Sequence, residues 1–168
     1  MNSKIVELEE LSDRCGKLRA AGKKIIATNG CFDLLHIGHV RYLQAARTLG
    51  DFLAVGVNSD HSVRELKGPG RPITTAADRA EILAALECVN LVAIFPQARA
   101  TQFLTAVRPD VYVKASDYIP ETLNKQERAV LKEIQAEIRF VPFERGYSTS
   151  ALIEQLCRSG SLTKDTTR

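Results

Sequence analysis

An α/β fold, a doubly wound parallel sheet of about five strands, is what the sequence predicts, on three observations. Short apolar runs such as residues 24–28, 52–57 and 91–95 recur along the chain. They are continuous, not alternating, which is the pattern of strands covered on both faces. Segments with helical spacing separate them, so strand and helix alternate. Polar clusters follow the runs directly, at the carboxyl ends of strands, where open α/β sheets place their ligands.

Composition agrees with that class and excludes others. The chain has 168 residues, 45% hydrophobic and 26% charged, as expected of one globular domain with a sizeable core. A formal net charge of +3, with no basic block, argues against a nucleic-acid partner. No apolar run is long enough to span a membrane, and the first ten residues lack the apolar core of a signal peptide, so a cytoplasmic location is expected. Cys15, Cys31, Cys88 and Cys157 are scattered without a Cys-x-x-Cys pair, which suggests neither zinc nor disulfides.

In chain order, Ile5, Leu8, Leu11, Cys15 and Leu18 recur at helical spacing and predict an amphipathic helix over 3–21, ended by Gly22. The strand at 24–28 then runs through Asn29-Gly30-Cys31-Phe32-Asp33-Leu34-Leu35-His36-Ile37-Gly38-His39 into a helix at 40–46. This strand-to-helix turn is the stretch that organises the site. Free N–H groups at the helix start favour an anion. Gly38 removes a side chain where a phosphate would approach, and His36 and His39 can each donate a ring N–H to phosphate oxygens. Cys31 reads as a small residue packed under the loop, not a nucleophile.

After the strand at 52–57, residues 61–73 carry Arg64, Lys67 and Arg71 among Gly68, Pro69, Gly70 and Pro72. They read as a cationic loop able to close over a triphosphate. Thr74 or Thr75 caps the next helix, which presents Ile82, Leu83, Ala85 and Leu86 as its apolar face and projects Arg79 from its first turns. A strand at 91–95, a helix at 101–107 and a strand at 111–113 follow, the last ending in Lys114-Ala115-Ser116-Asp117-Tyr118. A charged helix at 121–137, a strand at 138–141 and a helix at 151–157 complete the core, about residues 22–157, before a polar tail at 158–168. Ser148, Thr149 and Ser150 open the last helix and offer a second anion site of the same physical kind.

The polar clusters converge on one crevice of cations, neutral donors and helix N-termini, with no nucleophile paired to a base and no paired carboxylates. Such a site suits attack by an anionic phosphate on the α-phosphorus of a nucleotide. Mg²⁺ is expected to travel with the nucleotide phosphates.

The segment Gly30 to His39, with its His36-Ile37-Gly38-His39 core, together with Val57-Asn58-Ser59-Asp60, Leu66-Lys67-Gly68, Arg71-Pro72 and Tyr147-Ser148-Thr149-Ser150, resembles the cytidylyltransferase-like nucleotidylyltransferases. Within them it is most similar to the adenylyltransferases of ADP-heptose synthesis. The resemblance implies a Rossmann-like fold and AMP transfer from ATP to D-glycero-β-D-manno-heptose 1-phosphate. It implies that His36, His39 and Lys67 act on the phosphates and that Arg79, Ser148 and Thr149 bind the triphosphate. Asn29, Gly30, Cys31, Phe32 and Gly38 fall with nucleotide binding, and Asp33, Asn58, Lys114, Asp117 and Tyr118 with substrate binding. It also suggests a homodimer.

Two positions depart from the family. Phe143 stands where the glycerol-3-phosphate cytidylyltransferases have arginine, and Ala115-Ser116 stand where the heptose branch has two glycines. A CTP-dependent enzyme acting on glycerol 3-phosphate, or a non-catalytic nucleotide-binding module, are the competing readings. Intact His36, His39, Lys67 and Arg79 weigh against the module.

Overall fold

Five parallel strands, β1 (Ile25–Gly30), β2 (Phe52–Asn58), β3 (Leu91–Phe95), β4 (Val111–Ala115) and β5 (Glu137–Val141), form one sheet in the order β3-β2-β1-β4-β5. The computed structural model describes residues 3–115, 123–142 and 147–162. Seven helices lie among these residues: α1 (Leu8–Ala20), α2 (Ile37–Arg47), α3 (Asp60–Lys67), α4 (Ala76–Ala84), α5 (Thr101–Val107), α6 (Lys125–Glu133) and α7 (Thr149–Leu162). The order reverses between β1 and β4, which makes that junction the switch point where a crevice opens.

Strand pleating sorts the core into two layers. Ile25, Ala27, Ala54, Ala93 and Tyr112 face Leu11 and Cys15 of α1, Phe103 and Leu104 of α5 and Leu131 of α6. Ile26, Leu53, Val55, Val92 and Val113 face Tyr42, Leu43 and Ala46 of α2 and Ala80 and Leu83 of α4. Neighbouring residues on one strand thus enter opposite layers, as the period of two requires. At the amino edge of the sheet, Asp51, Asn90 and Asp110 each accept a backbone N–H at a strand start, from Lys24, Leu53 and Ile25 at 2.8, 2.8 and 2.7 Å. Polar side chains there finish the sheet.

Several expected boundaries change. Residues 3–7 are not helical: Ile5 bridges Val92 in parallel, Val6 N–H donates to Val92 O at 3.0 Å, and α1 begins at Leu8. The expected loop at 61–73 begins as a helix. Ser59 caps α3 by accepting from Ser62 N–H at 3.2 Å, and Val63 is wholly buried beneath it. Only Gly68, whose φ of +89° suits a residue without Cβ, ends it. Ile82, expected in the apolar face of α4, is 44% exposed, while Ala80, Leu83 and Ala84 are buried. α6 covers Lys125–Glu133 of the expected 121–137 segment, and α7 starts earlier and ends later than 151–157.

Candidate active site

Over the carboxyl ends of β1, β2 and β4 lies a cavity of about 570 Å³. It gathers residues from both sides of the switch point. From the histidine turn come Asn29 to Asp33, His36 and His39; from the β2 side come Asn58, Leu66, Lys67 and Arg71; from the β4 side come Lys114 and Ala115; and α7 adds Ser148, Thr149 and Ser150.

The two imidazoles stack face to face, centroids 3.8 Å apart and planes 28° from parallel. His36 is the N-cap of α2, and its backbone N–H donates to His39 Nδ1 at 3.4 Å. A neutral His39 that accepts at Nδ1 carries its proton on Nε2, so the outward ring nitrogen is a donor. Burial, and then the neighbouring His36, lower the His39 pKa from 6.5 to about 4; burial lowers that of His36 as well. Both rings are therefore neutral donors near pH 7.

Two features hold this pair. A Cβ on Gly38 would lie 3.0 Å from His36 Nδ1 and 3.2 Å from the Tyr147 Cβ, so glycine is what lets the His36 ring and Tyr147 close over the helix start. The side of Gly38 on which a Cβ would stand is taken by His36 and Tyr147. Phe32 sits at φ +47°, a costly conformation for an aromatic residue, and meets the His39 ring edge-on at 5.3 Å.

Arg79 does not project towards the cavity. Its side chain is wholly buried: Nη1 donates to Cys31 O at 2.5 Å, Nε to Thr74 O at 3.1 Å, and Nη2 to Asp60 Oδ1 at 2.8 Å. The guanidinium thus braces the histidine turn against the starts of α3 and α4. Arg79 lies four residues before the buried Leu83, so α4 turns both to its inward face, contrary to the expected projection. Asp33 is likewise committed. Its carboxylate accepts from Ile73 N–H at 2.7 Å and Thr74 N–H at 3.1 Å and pairs with Arg71 at 2.5 Å. Burial opposes its ionisation, yet the Thr74 N–H, Arg71 and the Ile73 N–H together hold its pKa below the ordinary carboxylate value. Both residues tie the turn to the segment after α3.

Asn58, 2% exposed, donates to Ser62 Oγ and Gln97 O, both at 3.2 Å, and so holds the segment after β3. Lys67 ends α3 with its side chain exposed at the cavity rim. The Cys31 thiol is pushed up by burial, against the pull of Lys67, Arg79 and Arg71, which leaves it protonated. Ser148 Oγ accepts from Ala151 N–H at 3.1 Å as the cap of α7, and the Thr149 hydroxyl donates to Leu34 O at 3.4 Å, fastening that helix to the histidine turn. Lys114 Nζ lies 3.0 Å from Asn29 Oδ1. Asp117, Tyr118 and Phe143 lie outside the described residues.

Three residues of the site carried no motif. Arg99 adds an exposed cation to the cavity, Glu127 accepts from Ala100 N–H at 2.8 Å beneath it, and the Tyr112 hydroxyl donates to Asn29. Arg99 and Glu127 stand in or beside segments with ordinary helical and loop spacing, so nothing local marks them. The Tyr112 position, one strand repeat before Lys114, is a readable signal for a shared side of β4.

A parallel sheet whose switch point holds neutral imidazoles at a helix start, rimmed by lysine and arginine, is a site suited to an anionic, phosphate-bearing ligand. The chain belongs to the cytidylyltransferase-like family, whose model matches residues 27–158. The bifunctional protein HldE of Trichlorobacter lovleyi is 43% identical over 155 residues, covering 92% of this chain and 31% of the relative. HldE of Helicobacter pylori strain J99 is 46% identical, covering 93% and 32%. This chain therefore spans about a third of the length of these relatives. The fold is similar to that of a lipopolysaccharide core biosynthesis protein from Thermoplasma volcanium, with a TM-score of 0.61 at 23% identity over 76% of this chain and 100% of that one. It is also similar to that of a pantoate-beta-alanine ligase from Francisella tularensis, with a TM-score of 0.56 at 14% identity over 84% of this chain and 67% of that one.

Proposed function

We propose that the protein transfers AMP from ATP to a sugar 1-phosphate, D-glycero-β-D-manno-heptose 1-phosphate, giving ADP-heptose and pyrophosphate. The observation that carries the reaction type is the neutral histidine pair beside Lys67 in one crevice. An oxygen of the acceptor phosphate attacks the α-phosphorus, the bond to the β-phosphate oxygen breaks, and pyrophosphate leaves with the electron pair. The nucleophile is already anionic, so no base is needed; Asp33 and Glu127, the two carboxylates that line the cavity among the described residues, are engaged with protein donors. What remains is to place donors where charge develops. His36 and His39 supply N–H groups that carry no charge to be neutralised by water, and Lys67 meets the leaving phosphates. Each such donor is worth roughly a hundred- to a thousandfold in rate.

Mg²⁺ shields the phosphates and polarises the α-phosphorus when bound. Among the described residues no three His, Cys, Asp or Glu side chains come together as metal ligands. Mg²⁺ would be held by the nucleotide's own phosphates. Similarity to the HldE proteins and resemblance to the ADP-heptose branch support the choice of acceptor. A second reading is CTP-dependent transfer to glycerol 3-phosphate; the cytidylyltransferase-like description of the matched family model bears on the nucleotide alone. A homodimer in the cytoplasm completes the proposal; among the described residues no helix is long and apolar enough to cross a membrane.

The test is pyrophosphate release with ATP and with CTP, each against heptose 1-phosphate and glycerol 3-phosphate. Turnover confined to ATP with heptose 1-phosphate supports the proposal. Turnover with CTP and glycerol 3-phosphate transfers it to the second reading, and no release in any pairing overturns both.

A further inference from the structure

Tyr112 has a fully buried side chain, and its hydroxyl donates at 2.5 Å to Oδ1 of Asn29, a residue that lines the cavity. Lys114 projects from the same side of β4, with Nζ 3.0 Å from that oxygen and 5.2 Å from the centroid of the Tyr112 ring. An ammonium only donates, so the Asn29 atom facing Lys114 is the amide oxygen, and the tyrosine hydroxyl facing the same atom must donate as well. The amide cannot turn over without setting its NH₂ against the ammonium. Its nitrogen therefore lies on the other side of the amide carbon, in a residue that lines the cavity, and among the described residues none accepts from it.

Building on the nucleotidylyl-transfer reading, we propose that Tyr112 is a positioning residue that locks Asn29 and Lys114 as a paired donor site for a ligand oxygen. The site takes an oxygen with lone pairs or negative charge, a hydroxyl or phosphate oxygen, and rejects an N–H donor in that place. Either substrate can supply such an oxygen, the nucleotide through its ribose or phosphates, the acceptor through its sugar or phosphate. Tyr112 touches neither substrate; its hydroxyl orients the amide and its ring seats the ammonium.

The decisive experiment measures KM for each substrate separately in the wild type, Tyr112→Phe and Asn29→Asp. Tyr112→Phe removes one oxygen and is expected to raise KM for one substrate about tenfold, leaving the other KM and kcat within about twofold. Whichever KM moves identifies the source of the oxygen. Asn29→Asp keeps an oxygen towards Tyr112 and Lys114 but replaces the NH₂ by an acceptor, so the same KM should rise further. It reads the site without touching the buried ring. The lock is also read without turnover: in ¹⁵N-labelled protein the Asn29 side-chain amide signals should shift and broaden in Tyr112→Phe. A wild type that releases no pyrophosphate defeats the transfer reading alone. Unchanged Asn29 signals, both KM values unchanged, or both rising together overturn the positioning role.

Discussion

The buried guanidinium of Arg79 gives the sharpest division between a structural brace and a phosphate ligand. Arg79→Met keeps much of the side-chain length and apolar volume, so the perturbation is the loss of polar bonds. Cys31 O and Thr74 O, bonded at 2.5 and 3.1 Å, lose their charged donor. A buried acceptor left unsatisfied costs roughly 1–3 kcal/mol. The Asp60 side chain is 36% exposed and rehydrates, so its share is close to the 0–1 kcal/mol of a surface pair. The expected loss is about 4 kcal/mol, a large part of the stability of a single domain. In a urea titration followed by circular dichroism, that is a midpoint about 2 M lower with an unchanged slope. Turnover should fall too, because the carbonyl released at Cys31 adjoins the strained Phe32. A midpoint within about 0.3 M of wild type, with ATP affinity reduced tenfold or more, would refute the brace and return Arg79 to the triphosphate.

Four further outcomes follow from the same geometry. His39→Ala should lower kcat by at least about a hundredfold with the fold intact; near-normal turnover removes His39 from the reaction. Because burial and His36 hold its pKa at about 4 against an ordinary 6.5, the unfolded chain binds the extra proton first. The contribution to stability is complete above pH 6.5 and is lost as pH falls towards 4, so between pH 7 and 5 the wild type should lose more stability than His39→Gln in parallel urea titrations. Gly38→Ala sets a methyl 3.0 Å from His36 Nδ1 and should cut kcat about tenfold while moving the urea midpoint little; equal turnover would show that the ring yields freely. Lys67→Ala should lower kcat more than it raises KM for ATP, since an exposed cation at the rim does most where charge develops; a change in KM alone would contradict that role.

The fold was legible because β1 to β4 begin as continuous apolar runs, and β3 and α5 have the limits their patterns predict. Helix α3 was obscured because only Val63 and Ser62 are buried in it and Gly68, Pro69, Gly70 and Pro72 follow at once. The histidine turn was legible as a spacing of residue types. Its support was not. Residue type says that Asp33, Asn58 and Arg79 are polar at the carboxyl edge of a sheet; it does not say whether their partners are ligand atoms or backbone atoms from segments distant in sequence. Thr74, which bonds both Asp33 and Arg79, lies 41 residues from Asp33, and no local pattern encodes that meeting.

This division of polar residues is itself a physical argument about the site. An aromatic residue at positive φ costs on the order of 1–3 kcal/mol, and a neutral imidazole pair forgoes the hydration that charged rings would gain. Such a turn persists only where its surroundings over-determine it. Arg79 holds the carbonyl before Phe32, Asp33 directly after it is bonded to the segment at 71–74, and Thr149 holds Leu34 to α7. Meanwhile the carboxylate charge of Asp33 is matched by Arg71 and two backbone N–H groups, while Lys67 and Arg99 stand exposed at the rim. The crevice therefore keeps a positive field around donors whose positions are set before a ligand arrives. Little reorganisation is left for the moment of reaction, which is the condition under which such donors lower a barrier instead of merely binding a phosphate.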